Sequence, residues 1–281
     1  MALLSADTRV LLRQKKTTMH ALLIGLLLCL PWLAWPQAQR VTIAVDDAYP
    51  PYSHVENDSA VGFYVDLVQR AMQGLPGWQL RLQPRPWVRA VQEAEQGLVD
   101  GFLPPYRGLG RDWIALYAGP LYREEIVLFC GLPTRLGATS QWPKDFAGKR
   151  IGTMRGYLLA KALTEAFESK QVSKREFRNA RDALAALAAG DIDCYANDRL
   201  SIELAHEQAL ADAVWAARVP ARLETPFVLS SQFAYIGFSQ QSLNKRPELA
   251  DFARALDAQL AQMRASGETQ RLFMAYRRPG S

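Results

Sequence analysis

Histidine and cysteine are scarce in this chain, with three of each among 281 residues. The sequence also lacks a Gly-x-Ser-x-Gly nucleophile turn, a phosphate loop of the P-loop type and a Cys-x-x-Cys pair. His206 is followed by Glu207, but the second histidine of a zinc-protease helix is missing. Because no motif for catalysis, metal or nucleotide is present, we expect a protein without a cofactor and without enzymatic activity.

A basic surface for nucleic acid is also missing. The net charge is +5, but residues 1–38 hold 4 of the 33 basic residues and only 1 of the 28 acidic ones. The rest of the chain therefore has 29 basic against 27 acidic residues, a net charge of +2. Since no basic stripe is interleaved with aromatic residues, we expect no nucleic-acid partner.

The longest apolar run is too short for a typical membrane span. It covers Ala21–Leu30, follows four basic residues between positions 9 and 16, and precedes the small residue Ala38. This order is typical of a secretory signal peptide, and it predicts a periplasmic protein that begins near Gln39 after cleavage. The alternative is an uncleaved N-terminal anchor, although Pro31 and Pro36 would interrupt a spanning helix.

Three cysteines leave one possible intramolecular pair. Cys29 lies in the predicted signal segment, so only Cys130 and Cys194 remain in the exported chain. An even pair in an oxidising compartment allows a disulfide. Both cysteines lie in strand-like runs, however, where buried free thiols are also common. The sequence leaves both interpretations open.

About 240 residues remain, and they show alternating strand and helix signals. A first unit is predicted at Val41–Asp46 (strand), Gly62–Gln73 (helix), Leu80–Gln83 (strand), Val88–Gln96 (helix) and Val99–Leu103 (strand). A second unit is predicted at Arg150–Met154 (strand), Leu158–Glu168 (helix), Glu176–Arg178 (strand), Ala180–Ala189 (helix) and Ile192–Ala196 (strand). Gly97 and Gly190 each suit a left-handed helix end just before a strand. Two such units predict an α/β protein with two parallel-sheet lobes.

The remaining segments connect and complete these units. Strand-like runs at Tyr122–Cys130 and Phe233–Ser239 can carry the chain between the lobes, and helices are predicted from Leu249 to Met263 and at Glu268–Tyr276. We therefore expect a signal peptide at 1–38 and a first lobe formed by 39–123 and 229–281. The second lobe is expected at 124–228.

Six segments resemble one known family in their order and spacing. They read VTIAVDDAYPPYS, GFYVDLVQRAM, PWVRAVQEAEQGLVDGFL, RDWIALYAGPLY, RIGTMRGY and ALAALAAGDIDCYANDRL. Each motif is weak by itself, but the series covers nearly all of the exported chain. It is similar to the periplasmic solute-binding proteins of family 3, which include polar amino acid receptors of ABC importers. The resemblance implies the type II periplasmic binding fold, with two mostly parallel, helix-flanked sheets joined by two short crossings.

The resemblance also implies roles for two charged residues. Arg111 matches the family's arginine that clamps a ligand carboxylate, a task suited to a guanidinium that donates two parallel hydrogen bonds. The alternative is a surface arginine. Asp198 matches the acidic residue that binds the ligand's amino group, but it can equally cap a helix that starts at Arg199.

Aromatic residues of the implied cleft come from two loops. Tyr49 and Trp87 match the positions that sandwich the solute, where flat apolar faces supply contact area. Asp46, at the end of the first strand, matches a polar position of the same cleft. The alternative for the aromatics is that they fill the core beneath a turn formed by Pro50 and Pro51.

The chain departs from the amino acid receptors at two places. Pro104, Pro105 and Tyr106 replace serine or threonine after the third strand, and proline offers neither a hydroxyl nor an N–H group. In the second lobe, Gly156 and Tyr157 stand where the family has Gly-Thr-Thr, which leaves backbone N–H groups at a helix start but no aliphatic hydroxyl. We therefore expect a less polar or aromatic-bearing solute rather than a standard polar amino acid.

The resemblance implies a function in solute capture. A monomer would close its lobes on a small ligand and present it to an ABC permease in the inner membrane. One alternative is an exported enzyme on the same scaffold, dehydratase-like or hydrolytic, with Asp46 or Asp198 as acid or base. Another is a soluble sensor that reports its ligand to a separate membrane receptor.

Overall fold

The computed structural model describes residues 38–131, 134 and 139–276. The basic stretch, the apolar run and Cys29 of the predicted export signal lie outside these residues, so export remains a prediction. Within the described ranges, no helix combines the length and hydrophobicity that a membrane crossing needs.

Short strands and helices alternate along the chain. The strands are β1 Gln39–Asp46, β2 Ala48–Tyr49, β3 Ser53–Glu56, β4 Ser59–Val61, β5 Trp78–Arg85, β6 Gly101–Leu103, β7 Ile114–Ala118, β8 Arg123–Cys130, β9 Arg150–Met154, β10 Ser173–Phe177, β11 Cys194–Asp198, β12 Phe227–Phe233 and β13 Ile236–Ser239. The α-helices are Phe63–Met72, Trp87–Glu95, Lys161–Glu168, Ala180–Ala188, Arg199–Ala211, Gln240–Lys245, Leu249–Ala265 and Glu268–Tyr276.

The first lobe is organised around β1, which lies inside a five-stranded sheet of order β5-β1-β6-β13-β7. β1 pairs in parallel with β5 and β6, whereas β13 pairs antiparallel with β6 and β7. Val41, Ile43 and Val45 pack into one core cluster, and Ala44 packs into another with Trp87. Because both faces of β1 are covered, the strand reads as a continuous apolar run. It ends at Asp46, at the edge where the parallel strands terminate.

The second lobe is a five-stranded sheet of order β10-β9-β11-β8-β12. β9 pairs in parallel with β10 and β11, and β8 pairs antiparallel with β11 and β12. Cys130 of β8 lies directly opposite Cys194 of β11, and a disulfide joins them. The sequence left open a disulfide or two buried free thiols, and the structure contains the disulfide.

Two short crossings connect the sheets. The chain leaves the first sheet after Ala118 and enters the second at Arg123, and it returns between Phe233 and Ile236. The two crossings lie side by side and are joined by two backbone hydrogen bonds. The Leu121 N–H donates to the Ala234 carbonyl, and the Ala234 N–H donates to the Tyr122 carbonyl. The strand-like run Phe233–Ser239 therefore carries the chain between the lobes, as predicted. Its first residue ends β12 and its last four form β13, in different sheets.

The helix boundaries follow local chemistry in most places. The Asn179 side chain accepts a hydrogen bond from the Asp182 N–H and caps helix Ala180–Ala188, as predicted. Gly97 and Gly190 both have positive φ, at 61° and 73°, which confirms the predicted left-handed helix ends. The helix predicted from Leu158 instead begins at Lys161. Gly156 and Tyr157 thus belong to a loop before the helix, which corrects the expectation of N–H groups at a helix start there.

Candidate functional site

A small chamber lies where the carboxyl end of β1 meets the second lobe. Its volume is about 20 Å³, enough for about one water molecule. Both lobes contribute to its lining, which consists of Asp46, Tyr49, Trp87, Pro104, Pro105, Tyr106, Arg111, Tyr157, Leu158 and Leu159. Because this lining combines a carboxyl group, a guanidinium and four aromatic rings, we call it the inner chamber and treat it as the candidate site.

Asp46 sits at the end of β1, and its side chain is bonded across the lobes. The residue is 2% exposed, and the carboxylate accepts hydrogen bonds from the Tyr157 hydroxyl at 2.5 Å and from the Ala48 N–H at 3.0 Å. Burial raises the pKa of Asp46 to about 7, although the two hydrogen bonds oppose that rise. At neutral pH this group is poised between its protonated and ionised forms.

Arg111 and Trp87 converge on one carbonyl of the second lobe. Arg111 Nη2 and Trp87 Nε1 each donate to the Gly156 oxygen at 3.1 Å. The Arg111 guanidinium carbon also lies 5.4 Å from the centre of the Trp87 ring, a cation–π distance. These contacts tie the first lobe to the loop before helix Lys161–Glu168.

Arg111 is only 8% exposed, and Glu95 acts on it through an electrostatic attraction. Arg111 takes part in no ion pair within the described part of the chain. Burial lowers the pKa of Arg111 to about 10, because a charge removed from water loses solvation. A guanidinium has five N–H donors, and the Gly156 carbonyl uses one. An anion in the chamber would meet the remaining donors.

Position 156 needs a glycine because the two lobes approach each other closely there. Its φ is +74°, and a Cβ at this position would lie 2.9 Å from Val88 Cγ2, a side-chain atom of the first lobe. The Gly156 N–H donates to Glu176 at 3.2 Å. The Glu176 carboxylate therefore already accepts from the N–H group that we expected, from the sequence, to bind an anionic ligand.

Beneath the chamber lies a carboxyl group that sequence reasoning missed. Glu124, the second residue of β8, is 1% exposed and accepts hydrogen bonds from the hydroxyls of Tyr49, Tyr64 and Tyr106. Burial and the nearby Asp198 together raise its pKa to about 8, against the opposing effect of the three tyrosine hydrogen bonds. The three tyrosines come from the first lobe and Glu124 from the second, so the cluster joins the lobes beside the crossing.

Asp198 is bonded away from the chamber. Its carboxylate accepts from the Tyr52 hydroxyl at 2.9 Å, the Ser201 N–H at 3.0 Å and the Glu125 N–H at 3.2 Å. It caps helix Arg199–Ala211, which is the alternative considered from the sequence. Burial is the main cause that raises its pKa, to about 6. Asp198 does not belong to the chamber lining, so its ligand role remains only a prediction.

Most of the predicted site residues come together. Six of the eight line the inner chamber, namely Asp46, Tyr49, Trp87, Tyr106, Arg111 and Tyr157. Gly156 contacts two of these six through its carbonyl, and Asp198 lies apart. In the described residues no group of three or more His, Cys, Asp or Glu side chains could hold a metal ion. The signal for Glu124 was weak, since a charge within the strand-like run REEIVLFC gives no hint of burial.

Comparison with known families confirms the predicted resemblance. The model of the family described as bacterial extracellular solute-binding proteins, family 3, matches residues 41–105 of this chain. That range includes three residues of the inner chamber lining that are predicted from the sequence, Asp46, Tyr49 and Trp87, whereas Tyr106 lies one residue beyond it. No curated protein is significantly similar to the chain in sequence.

Solved structures show the same two-lobed fold. A histidine kinase sensor domain with similarity to periplasmic binding proteins has 17% identity and a TM-score of 0.66, with 86% of this chain and 97% of that chain covered. The arginine-, lysine-, histidine-binding protein of Geobacillus stearothermophilus has 18% identity and a TM-score of 0.62, with coverages of 85% and 95%. An ABC uptake transporter substrate-binding protein of Streptococcus pneumoniae, with bound histidine, has 17% identity and a TM-score of 0.63, with coverages of 85% and 92%. At these identities the likeness establishes the fold.

Proposed function

We propose that this chain is an extracytoplasmic solute-binding protein that captures a small solute between its lobes and delivers it to an ABC-type importer. The observation that carries this proposal is the position of Arg111, a buried guanidinium that lines a chamber between two lobes and has no ion pair among the described residues. A buried charge without an oppositely charged group in contact costs free energy, and an anionic ligand would reduce that cost. The family match at 41–105 supports the same function.

Closure of the lobes would be the binding mechanism. Each lobe has its own sheet, and the two short crossings can act as the hinge. In the closed arrangement Trp87 and Arg111 reach the Gly156 carbonyl, and the Tyr157 hydroxyl reaches Asp46. A solute held by Arg111 would therefore lie beside the contacts that form when the lobes meet, so ligand binding and closure would stabilise each other.

The ligand class follows from the groups that line the chamber. Aromatic faces from Tyr49, Trp87 and Tyr157 supply apolar contact, whereas Pro104 and Pro105 supply no hydroxyl or N–H donor. A site without these hydrogen-bonding partners should discriminate polar amino acids poorly. We expect an amino-acid-like, organic-anion or aromatic solute to bind in preference to glutamine, histidine or arginine.

The cellular setting completes the proposal. The protein would be exported by a cleavable signal peptide, act as a monomer in the periplasm and dock on an ABC permease in the inner membrane. Catalysis on the same scaffold would require Asp46, poised near neutral pH, to transfer a proton to a bound solute. Recovery of the bound solute unchanged by mass spectrometry would separate binding from turnover.

A thermal-shift screen tests the function. Amino acids, organic acids, amines and small aromatics should be tried against the exported chain, since a solute that binds only the folded state raises the melting temperature. The best solute should then bind Arg111→Ala more weakly by about 2–5 kcal/mol, because a buried charge-assisted pair is lost. Arg111→Lys should recover only part of this affinity, because the planar fork is absent.

The matched control is Arg107→Ala, in the same loop. The Arg107 guanidinium lies 4.8 Å from the centres of the Tyr117 and Tyr235 rings and is not part of the chamber lining. Its loss should leave calorimetric affinity within about twofold of wild type, as expected for a cation outside the site. If the best solute binds Arg111→Ala as tightly as wild type, the anion-binding role of Arg111 fails.

A further inference from the structure

A second, larger cavity adjoins the inner chamber. Its volume is about 680 Å³, and it shares Asp46, Trp87 and Tyr157 with the chamber lining. Its remaining walls also come from both lobes, and we call it the outer cavity. Its volume is within the usual range for small-molecule sites, about 300–1,000 Å³, whereas the inner chamber holds about one water. The outer cavity therefore provides most of the space available to a solute.

Two arginines lie together on the second-lobe wall of the outer cavity. β9 and β10 are parallel, with Met154 paired to Phe177, so both strands end at the same edge of the sheet. Arg155 and Arg178 follow these two residues, and the Arg155 N–H donates to the Phe177 carbonyl at 2.9 Å. Both arginines line the outer cavity. Among the described residues, neither side chain has an ion pair or a hydrogen bond.

The acids around the cavity do not neutralise these arginines. Glu93, on the first-lobe wall, is already paired with Arg85 at 3.2 Å and with Arg89 at 2.6 Å. Asp46 accepts two hydrogen bonds, and its pKa of about 7 leaves it only partly ionised at neutral pH. Asp47 is the remaining acid in the lining. The second-lobe wall is thus left with positive charge that faces the cavity.

Glu176, in β10, also has partners of its own. Its carboxylate lies 2.6 Å from Lys174 Nζ and accepts from the Gly156 N–H at 3.2 Å. These two contacts hold it on its own strand and loop. Arg155 acts on Glu176 only through an electrostatic attraction that lowers the pKa of that carboxyl. The N–H groups of Arg155 and Arg178 therefore remain available to an anion from outside the protein, and planar forks suit carboxylates.

We propose that the inner chamber and the outer cavity are two ends of one binding site, whose solute carries two anionic groups. Arg111 holds one group, and Arg155 with Arg178 holds the other. The solute is larger than a single amino acid, and its middle contacts Trp87 and Tyr157, the aromatic residues that both spaces share. This inference rests on the proposed function and adds the second anionic group and the size of the solute.

Calorimetry with matched dipeptide probes tests the inference. Glycyl-aspartate, glycyl-glutamate and γ-glutamylglycine carry two carboxylates at different separations, and each is compared with its analogue in which one carboxylate is an amide. We expect at least one probe with two carboxylates to bind wild type at least about tenfold more tightly than its amide, since charge-assisted hydrogen bonds are lost in the amide. Arg155→Gln/Arg178→Gln should abolish this preference.

The control variant is Arg222→Gln, which removes a cation from an exposed ion pair with Glu224. This variant should still prefer the probe with two carboxylates over its amide. Such a result would show that the preference depends on arginines that contact the solute and not on the net charge of the protein. All three arginines are exposed, and unchanged melting temperatures of the apo variants would verify that each folds.

Two results overturn the inference. One is that no probe with two carboxylates is preferred over its amide, and the other is that Arg155→Gln/Arg178→Gln retains the preference. If a singly charged solute loses affinity in Arg111→Ala but not in the double variant, the proposed function stands and the second anionic group is refuted. If no solute of any class binds the wild type, the proposed function itself fails.

Discussion

The buried carboxyl of Glu124 predicts an unusual dependence of stability on pH. Burial and the neighbouring Asp198 raise the pKa of Glu124 to about 8, from an ordinary value of 4.5. Below pH 4.5 the group is protonated in both the folded and the unfolded chain, so it has no effect on stability. Between 4.5 and 8 the unfolded chain releases the proton while the folded chain keeps it. The free energy of unfolding therefore falls as pH rises through this window and levels off above pH 8.

The size of the fall follows from the two pKa values. At about 1.4 kcal/mol per pH unit, their separation corresponds to at most about 5 kcal/mol. Glu124→Gln keeps the shape of the side chain and an oxygen that can accept from tyrosine, but it does not titrate. The variant should lack this contribution, so its stability relative to wild type should increase by several kcal/mol between pH 5 and pH 8. Asp46 and Asp198 remain in both proteins and add their own smaller declines.

Urea unfolding between pH 5 and pH 9 measures the effect directly. Glu168→Gln, at an exposed position at the end of helix Lys161–Glu168, is the matched control and should follow wild type at every pH. Parallel curves for wild type and Glu124→Gln would refute the reasoning, because they would mean that Glu124 is already ionised in the folded protein. The same cluster spans the lobes, so a confirmed decline would link lobe contact to proton binding.

Two further predictions concern the chamber contact and export. In wild type, the Tyr157 hydroxyl donates to Asp46 at 2.5 Å, and this hydrogen bond lowers the pKa of Asp46. Tyr157→Phe removes the hydroxyl, so NMR titration should find a higher pKa for Asp46 in the variant than in wild type. An unchanged pKa would contradict the hydrogen bond. Intact-mass measurement of the periplasmic fraction should show a chain that starts within a few residues of Gln39, and the full-length chain in the membrane fraction would instead indicate an uncleaved anchor.

Local patterns in the sequence determined the elements of the fold. The apolar run of β1, the Asn179 cap and the glycines at 97 and 190 act on their own neighbours, and the structure has each of them as predicted. The spacing of the motifs also predicts two lobes, and six of the predicted site residues line one chamber in the structure. The sequence also predicts that the run Phe233–Ser239 carries the chain between the lobes, as it does. The point at which this run changes sheets depends on distant pairing partners, so only the structure locates it.

Only the tertiary structure decided which polar groups are free and which are already bonded. From the sequence, Asp198 and Arg111 each have a ligand role and a structural alternative. Packing leaves Asp198 with three hydrogen bonds in a helix cap, whereas Arg111 is buried and has no ion pair among the described residues. The burial of Glu124 under three tyrosines that are distant in sequence was likewise invisible. A residue's type and spacing determine what it can donate or accept, but its surroundings in the folded chain determine whether that capacity is left for a ligand.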